Sequence, residues 1–410
     1  MIRSGGSAND VSGEKVTLLV QDIPEDPMDV KLRSAVSVEK ASKTAAAPTR
    51  ILFLDGVRGL AALLVVTQHS HEYMQDLNLG ACAVDAFFVL SSFLLTMLFM
   101  KKSMKLLARS ATYRKWAFTL VDYFSRRFFR IYPLFALVAI VLWILPDDVK
   151  RGLYRIEKPK DFSLVKVLTF DFDQRFFVFW TLPLEISYYF FIPIFVLAVL
   201  KLRNYWWVPF IPAYCWVAYE GWNTFRWSHM GLSAHAPTFL AGSMAAVIFV
   251  KLDTWMKMNN VRPRPVVIYA IRTLECTALA LLLSLSFQGL FFNWIYANIA
   301  PQTPGFPFIS VLLTIVVVIE MILPSSLSTF LECNALRHCG KVSFSIYLLH
   351  GFVIYTDTVS NQSSYYDRMF STYGLTMLVA TVSYHLVEYP SQLLAQYITR
   401  ELAKREILGL

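Results

Sequence analysis

The stretch "ILFLDGVRGLAALLVVTQHSHEYM", residues 51–74, is apolar and long enough to cross a bilayer, yet it carries Asp55, Arg58, His69 and His71. On insertion scales an ionisable side chain at the centre of a spanning helix costs about 2.5–3.5 kcal/mol, so four of them need a reason. Arg58 and His69 stand eleven residues apart, close to three helical turns. They therefore share a face, separated by about 16 Å along the axis at a rise of about 1.5 Å per residue. Asp55, three residues before Arg58, is placed to neutralise part of the guanidinium charge. The helix offers a cation toward one end and an imidazole deeper in, facing one cavity. The plainer alternative for His69 is a hydrogen bond to a neighbouring helix. For His71 it is a position at the far interface.

Other apolar segments carry similar residues. "VDAFFVLSSFLL" places Asp85 at the head of the second segment. "YFSRRFFRIYP" clusters Arg126, Arg127 and Arg130 at the start of the third, with Arg126 and Arg130 one turn apart on the same face. Guanidinium forks suit a phosphate clamp, and equally suit an anchor among lipid headgroups. "WTLPLEISYYFF" buries Glu185, a carboxylate that must be neutral, paired or turned to a wet cavity. "VSFSIYLLH" sets Tyr347 and His350 three residues apart and so adjacent, with Ser345 close by. Glu388, in "SYHLVEYP", reads as structural.

The elements that must position these residues are membrane helices. Of 410 residues, 56% are hydrophobic and only 16% charged, against about a quarter charged in soluble domains. Ten segments approach the roughly 20 apolar residues a span needs: 51–73, 81–100, 126–146, 176–200, 204–219, 236–252, 265–287, 305–324, 342–358 and 370–388. The expected fold is all-α, a polytopic membrane protein with about ten transmembrane helices around an intramembrane active-site cavity. Residues 101–130 hold nine basic residues against one acid, Asp122. With the cations at 201–203, 251–264 and 400–405, they fall on one side if both termini are cytosolic. The loop 147–175, with seven basic residues and six acids, lies on the other side and weakens the contrast. "NQS" at Asn361, a glycosylation sequon, falls in an expected far-side loop, which fits this orientation. The net charge of +9 is accounted for by this sorting and does not imply nucleic acid. Residues 1–50 have no apolar core of signal-peptide length and read as a flexible cytosolic tail; 51–390 form the membrane domain and 391–410 a short cytosolic tail. The five cysteines show no CxxC spacing, so neither a metal site nor a disulfide framework is expected.

Taken in order, these motifs resemble the acyltransferase-3 family of integral membrane acyltransferases over about 51–390. The opening helix is similar to the family's "LDGLRGLAAL…H", including the Arg58-to-His69 spacing. "VDAFFVLSSFLL", "SRRFFRIYP", "WTLPLEISYY", "PTFLAGSMAA", "VSFSIYLLH" and "VEYP" resemble its later motifs. Two positions depart from the pattern: Ser92 stands where the family has glycine, and Thr181 where it has serine. Neither removes an ionisable group.

The resemblance implies ten spans and transfer of an acyl group from cytosolic acyl-CoA to a hydroxyl. It implies His69 as catalytic and Arg58 as essential, with Arg126, Arg127 and Arg130 as donor-side cations. On that basis the arginine trio is expected to hold the phosphates of coenzyme A, with Arg58 along the path of the pantetheine arm. His69 takes the acceptor's proton as general base, an imidazole having an unperturbed pKa of about 6.5. Glu185 is expected to orient His69 or stabilise its imidazolium. Direct transfer and an acyl-histidine intermediate are both compatible with the sequence. The co-substrate is acyl-CoA, most simply acetyl-CoA, with membrane lipids as surroundings, and no metal or nucleic acid is expected. The chain stops about twenty residues past the last segment, as for an enzyme that works alone. The expected acceptor is a hydroxylated lipophilic small molecule of secondary metabolism, in a eukaryotic endomembrane of fungal type; a bacterial protein would sit in the plasma membrane. The alternatives are a cell-envelope or secretory-pathway glycan as acceptor and, in another class, a proton-coupled transporter relaying through Arg58, His69 and Glu185. No internal repeat is visible, which counts against the transporter.

Overall fold

In hydrocarbon, backbone N–H and C=O groups must be paired within the chain, and apolar segments do this as helices. The computed structural model describes residues 52–72, 77, 79–223, 230–293 and 307–408, and every regular element among them is helical. The expected tail 1–50 lies outside the described residues. The principal helices are α1 (Leu52–Ser70), α2 (Leu79–Ala108), α3 (Tyr113–Ile144), α4 (Asp147–Tyr154), α5 (Thr181–Lys201), α6 (Phe210–Asn223) and α7 (Leu232–Met258). They continue with α8 (Pro265–Ser286), α9 (Pro307–Ile322), α10 (Ser326–Leu331), α11 (Asn334–Lys341), α12 (Ser343–Ile354), α13 (Tyr365–Ser383) and α14 (Tyr389–Leu408).

Among the described residues, six helices are long and apolar enough to cross a membrane: α1, α2, α3, α5 with the turn Phe177–Trp180 before it, α7 and α8. Large apolar side chains stand exposed on their outer faces, among them Ile144, Ile194 and Val266, as lipid-facing surfaces require. This is an integral membrane protein. Four expected segments fall short of that standard. Helices α6, α9 and α12 hold 14, 16 and 12 residues. At about 1.5 Å per residue α12 is shorter than a hydrocarbon core of about 30 Å, whereas α6 and α9 are measured only over the described residues, which stop at Asn223 after α6 and resume at Pro307 before α9. Helix α13 has 19 residues, but its first turns carry Asp367, Arg368, Ser371 and Thr372.

Boundaries moved where no breaker residue enforces them. The third segment was expected from 126, yet α3 begins at Tyr113 because no glycine or proline interrupts the chain before Pro133. The arginine trio therefore lies in the middle of a helix. Residues 391–410, expected as a tail, belong largely to α14, which packs along α3. One wide turn, Tyr384–Glu388, joins α13 to α14 just before Pro390, whose missing N–H it accommodates.

Helix α2 lies at the centre, packed against α1, α5, α7 and α9. Small and hydroxyl residues let these helices approach closely, the usual device where lipid supplies no hydrophobic drive. Thr96 donates to Ser243 across α2–α7 (2.9 Å), and Ser243 also bonds the Tyr188 hydroxyl (2.8 Å). Backbone contact is tightest between α1 and the α10–α11 corner. A Cβ on Gly56 would stand 1.8 Å from the Leu331 carbonyl oxygen, and one on Gly340 would stand 1.8 Å from that of Asp55. These glycines fix the rotation of α1, and so the direction in which Arg58 points.

Charges inside α8 and α9 escaped the sequence reading. Arg272 bridges Glu275 and Glu320 and donates to the Leu323 carbonyl. Glu320 also accepts from Ser325, through its hydroxyl (2.6 Å) and its backbone N–H (3.0 Å). Both carboxylates are almost fully buried. Three ionisable residues within apolar windows were the available signal.

Candidate active site

Four arginines converge from two helices. Arg58 on α1 and Arg126, Arg127 and Arg130 on α3 line one open cavity of about 300 Å³, completed by α2, α5, α12 and α14. The cavity also takes in Ser91, Thr181, Glu185, Tyr189, Tyr347 and, from α14, Gln392 and Gln396. Four guanidiniums facing one carboxylate make it strongly cationic.

The arginines are not equivalent. Arg58 is only 12% exposed, and its distance to Asp55, 3.9 Å, leaves the guanidinium loosely paired. Arg126 is tied to Asp122 one turn back at 2.6 Å. Arg127 folds over the Tyr123 ring, 4.6 Å from its centroid, and donates to the Tyr123 carbonyl. Arg130 is exposed and, among the described residues, makes no ion pair.

Glu185 is held from two helices, α2 and its own α5. Its carboxylate accepts from Ser91 of α2 and from Tyr189 one turn on, each at 2.5 Å. Both donors converge on the one oxygen, Oε1. Glu185 belongs to the cavity wall, whereas His69 is not among the residues that line the cavity.

His69 instead lies beside His350, with ring centroids 5.1 Å apart, and against the edge of Phe177 at 4.9 Å. Its carbonyl accepts from the Tyr355 hydroxyl (3.2 Å). His350 is fully buried; Nδ1 lies 3.1 Å from the Ile346 carbonyl and Nε2 has no partner among the described residues. With Nδ1–H donating to that carbonyl, Nε2 is the basic nitrogen. Tyr347 connects the two regions. It lines the cavity, its ring lies 6.3 Å from that of His350, and its hydroxyl accepts from Thr181 (3.1 Å) and donates to the Val178 carbonyl (3.2 Å). His71, just past α1, is exposed with φ of 54°, ending the helix in the left-handed conformation. Ser345 donates to Glu388, which closes that carboxylate into a structural contact.

The sequence model of one family, described as an acyltransferase domain, matches residues 51–384, most of the chain. The chain belongs to the acyltransferase-3 family. A family relative in Staphylococcus aureus strain COL, provisionally named an O-acetyltransferase, is 28% identical over 366 residues. O-acetyltransferase OatA of S. aureus strain NCTC 8325 is 26% identical over 372 residues. Each match covers 82% of this chain and 56% of the relative, so the chain spans just over half the length of these proteins. No solved structure matches the chain.

The two departures from the family pattern have local explanations. Ser92 turns its hydroxyl back to the Phe88 and Val89 carbonyls, opposite Gly242, where a Cβ would stand 2.1 Å from that hydroxyl. The glycine on α7 gives Ser92 its room. Thr181 keeps the hydroxyl a serine would offer and spends it on Tyr347.

Proposed function

We propose that this protein is a membrane O-acyltransferase moving an acetyl group from acetyl-CoA to a hydroxyl of a lipophilic small molecule, with ten spans and both termini cytosolic. The observation that carries it is the convergence of Arg58, Arg126, Arg127 and Arg130 on one cavity, in a chain of a family whose relatives bear O-acetyltransferase names. Coenzyme A is polyanionic at one end and thin and neutral toward the thioester. The arginines hold its phosphates, Arg130 being the guanidinium most available, and the pantetheine arm runs past Arg58 toward Tyr347. His69, with His350 beside it, takes the proton of the acceptor hydroxyl as that oxygen attacks the thioester carbonyl. The C–S bond breaks, the thiolate leaves and takes up a proton, and ester and free coenzyme A are the products. Glu185, held by Ser91 and Tyr189, offsets part of the arginine charge and fixes the cavity wall.

Calorimetry and thermal shift with detergent-purified protein test the donor site. Arg58→Ala and Arg130→Ala should each weaken acetyl-CoA binding about tenfold or more, a charge-assisted hydrogen bond lost per variant. Folded wild-type protein that binds neither acetyl-CoA nor longer acyl-CoAs would overturn the transferase. It would favour proton-coupled transport, read as gradient-dependent flux in liposomes. Growth on labelled acetate separates acceptors: label in lipophilic extracts supports the metabolite, label in glycan the envelope or secretory-pathway alternative.

A further inference from the structure

The cationic cavity is not the only hollow that α3 and α14 line among the described residues. A second hollow of about 310 Å³ follows it on the same two helices, walled by Lys115, Phe118 and Asp122 of α3, by Thr399 of α14, and by Lys102 and Arg109 of the α2–α3 hairpin. On α3, Lys115, Phe118, Asp122, Arg126 and Arg130 recur at helical spacing, a single stripe about 22 Å long. On α14, Gln392, Gln396, Thr399 and Ala403 form the matching stripe in the opposite direction. Asp122 sits at the seam. It accepts from Arg126 of the first cavity (2.6 Å), from Lys102 of the second (2.9 Å) and from Thr399 (3.0 Å). Its charge is thereby spent. Arg109 and Lys115 make no ion pair among the described residues and leave the second hollow with two open cations.

We infer that this second hollow is a phosphomonoester site, receiving the 3′-phosphate of the coenzyme A ribose, with the adenine against Phe118. The inference rests on the acyl-CoA reading of the first cavity and extends it. Coenzyme A carries its 3′-phosphate at the end remote from the thioester, so a donor whose diphosphate meets Arg126 and Arg130 must place that group further along the groove, away from Arg58. The only direction the two stripes offer is toward Arg109 and Lys115. A phosphomonoester dianion is also presented by some lipid headgroups, and the occupant committed to here is the coenzyme.

The test compares coenzyme A with 3′-dephospho-coenzyme A by calorimetry on the detergent-purified full chain, for wild type and for Arg109→Gln/Lys115→Gln. Wild type should prefer coenzyme A by about tenfold or more. The double variant should bring the preference close to one, leave dephospho-coenzyme A affinity within about twofold, and melt as wild type does. Equal binding of the two ligands by wild type, or an unchanged preference in the double variant, overturns the inference while the first cavity stands. If wild type shows equal binding and dioleoyl phosphatidic acid in nanodiscs raises the melting temperature of wild type alone, the hollow belongs to a lipid headgroup and the coenzyme assignment falls. Absence of binding by both coenzymes overturns the acyl-CoA reading itself, and this inference with it.

Discussion

Replacing His69 by Ala should lower acetyl transfer by about 10²–10⁴-fold, the usual contribution of a positioned general base, with acetyl-CoA affinity kept within about twofold. The two readouts separate because the arginines and the imidazole occupy different places. Arg58, Arg126, Arg127 and Arg130 line the cavity, whereas His69 stands beyond it with His350 and Phe177. On the proposed mechanism, removing the ring would leave the phosphate clamp untouched and deprive the acceptor hydroxyl of its proton sink. If His69 is the base, His350→Gln should lower kcat and reshape its pH profile, with KM for acetyl-CoA unchanged, because His350 lies against the His69 ring and outside the arginine-lined cavity. Single-turnover transfer to any hydroxyl acceptor that the labelled-acetate experiment supplies is the measurement. Transfer in His69→Ala within a few fold of wild type would remove His69 from the chemistry and leave the plainer role, a hydrogen bond between helices.

The second large effect concerns stability. Arg272→Ala should destabilise the folded protein by about 3–5 kcal/mol, the loss expected when one partner of a buried ion pair is removed. Arg272 is the cation that compensates Glu275 and Glu320, which are 4% and 1% exposed in their side chains. Without it two almost fully buried carboxylates face each other without a cation, and the junction of α8, α9 and α10 loses its Leu323 contact. Replacing the whole trio by neutral residues of similar size, Arg272→Met with Glu275→Gln and Glu320→Gln, should recover much of the loss. Thermal unfolding in detergent, followed by tryptophan fluorescence, reads both variants. An Arg272→Ala protein melting within a degree or two of wild type would show that the trio is solvated and structurally idle.

Much of the architecture and part of the site could be read from the residues in order. Apolar runs without breakers become helices, because the backbone must close its hydrogen bonds within each run. A period of about 3.6 residues then decides which side chains share a face. That is why Arg126 and Arg130 lie on one face and line one cavity, and why the motifs in sequence order identified the family. Helix ends were less legible. The start of α3 and the length of α14 depend on weak local preferences that packing overrides, and four short or polar segments depend on neighbours for their depth.

The relations between helices were not in the sequence at all. Local periodicity places a side chain on its own helix, while the rotation of one helix against the next is set by packing between residues far apart in the chain. Gly56 and Gly340 lock α1 against α10 and α11, and that rotation brings Arg58 to the arginines of α3. The same packing brings Ser91 to Glu185, sets His350 beside His69, and closes Arg272 onto Glu320. The sequence by itself determined which ionisable residues enter the membrane segments and which of them share a helix face. Only the tertiary structure decided which of them meet across helices, because burying a charge requires partners and some of them, such as Glu320 for Arg272 and Ser91 for Glu185, lie on another helix.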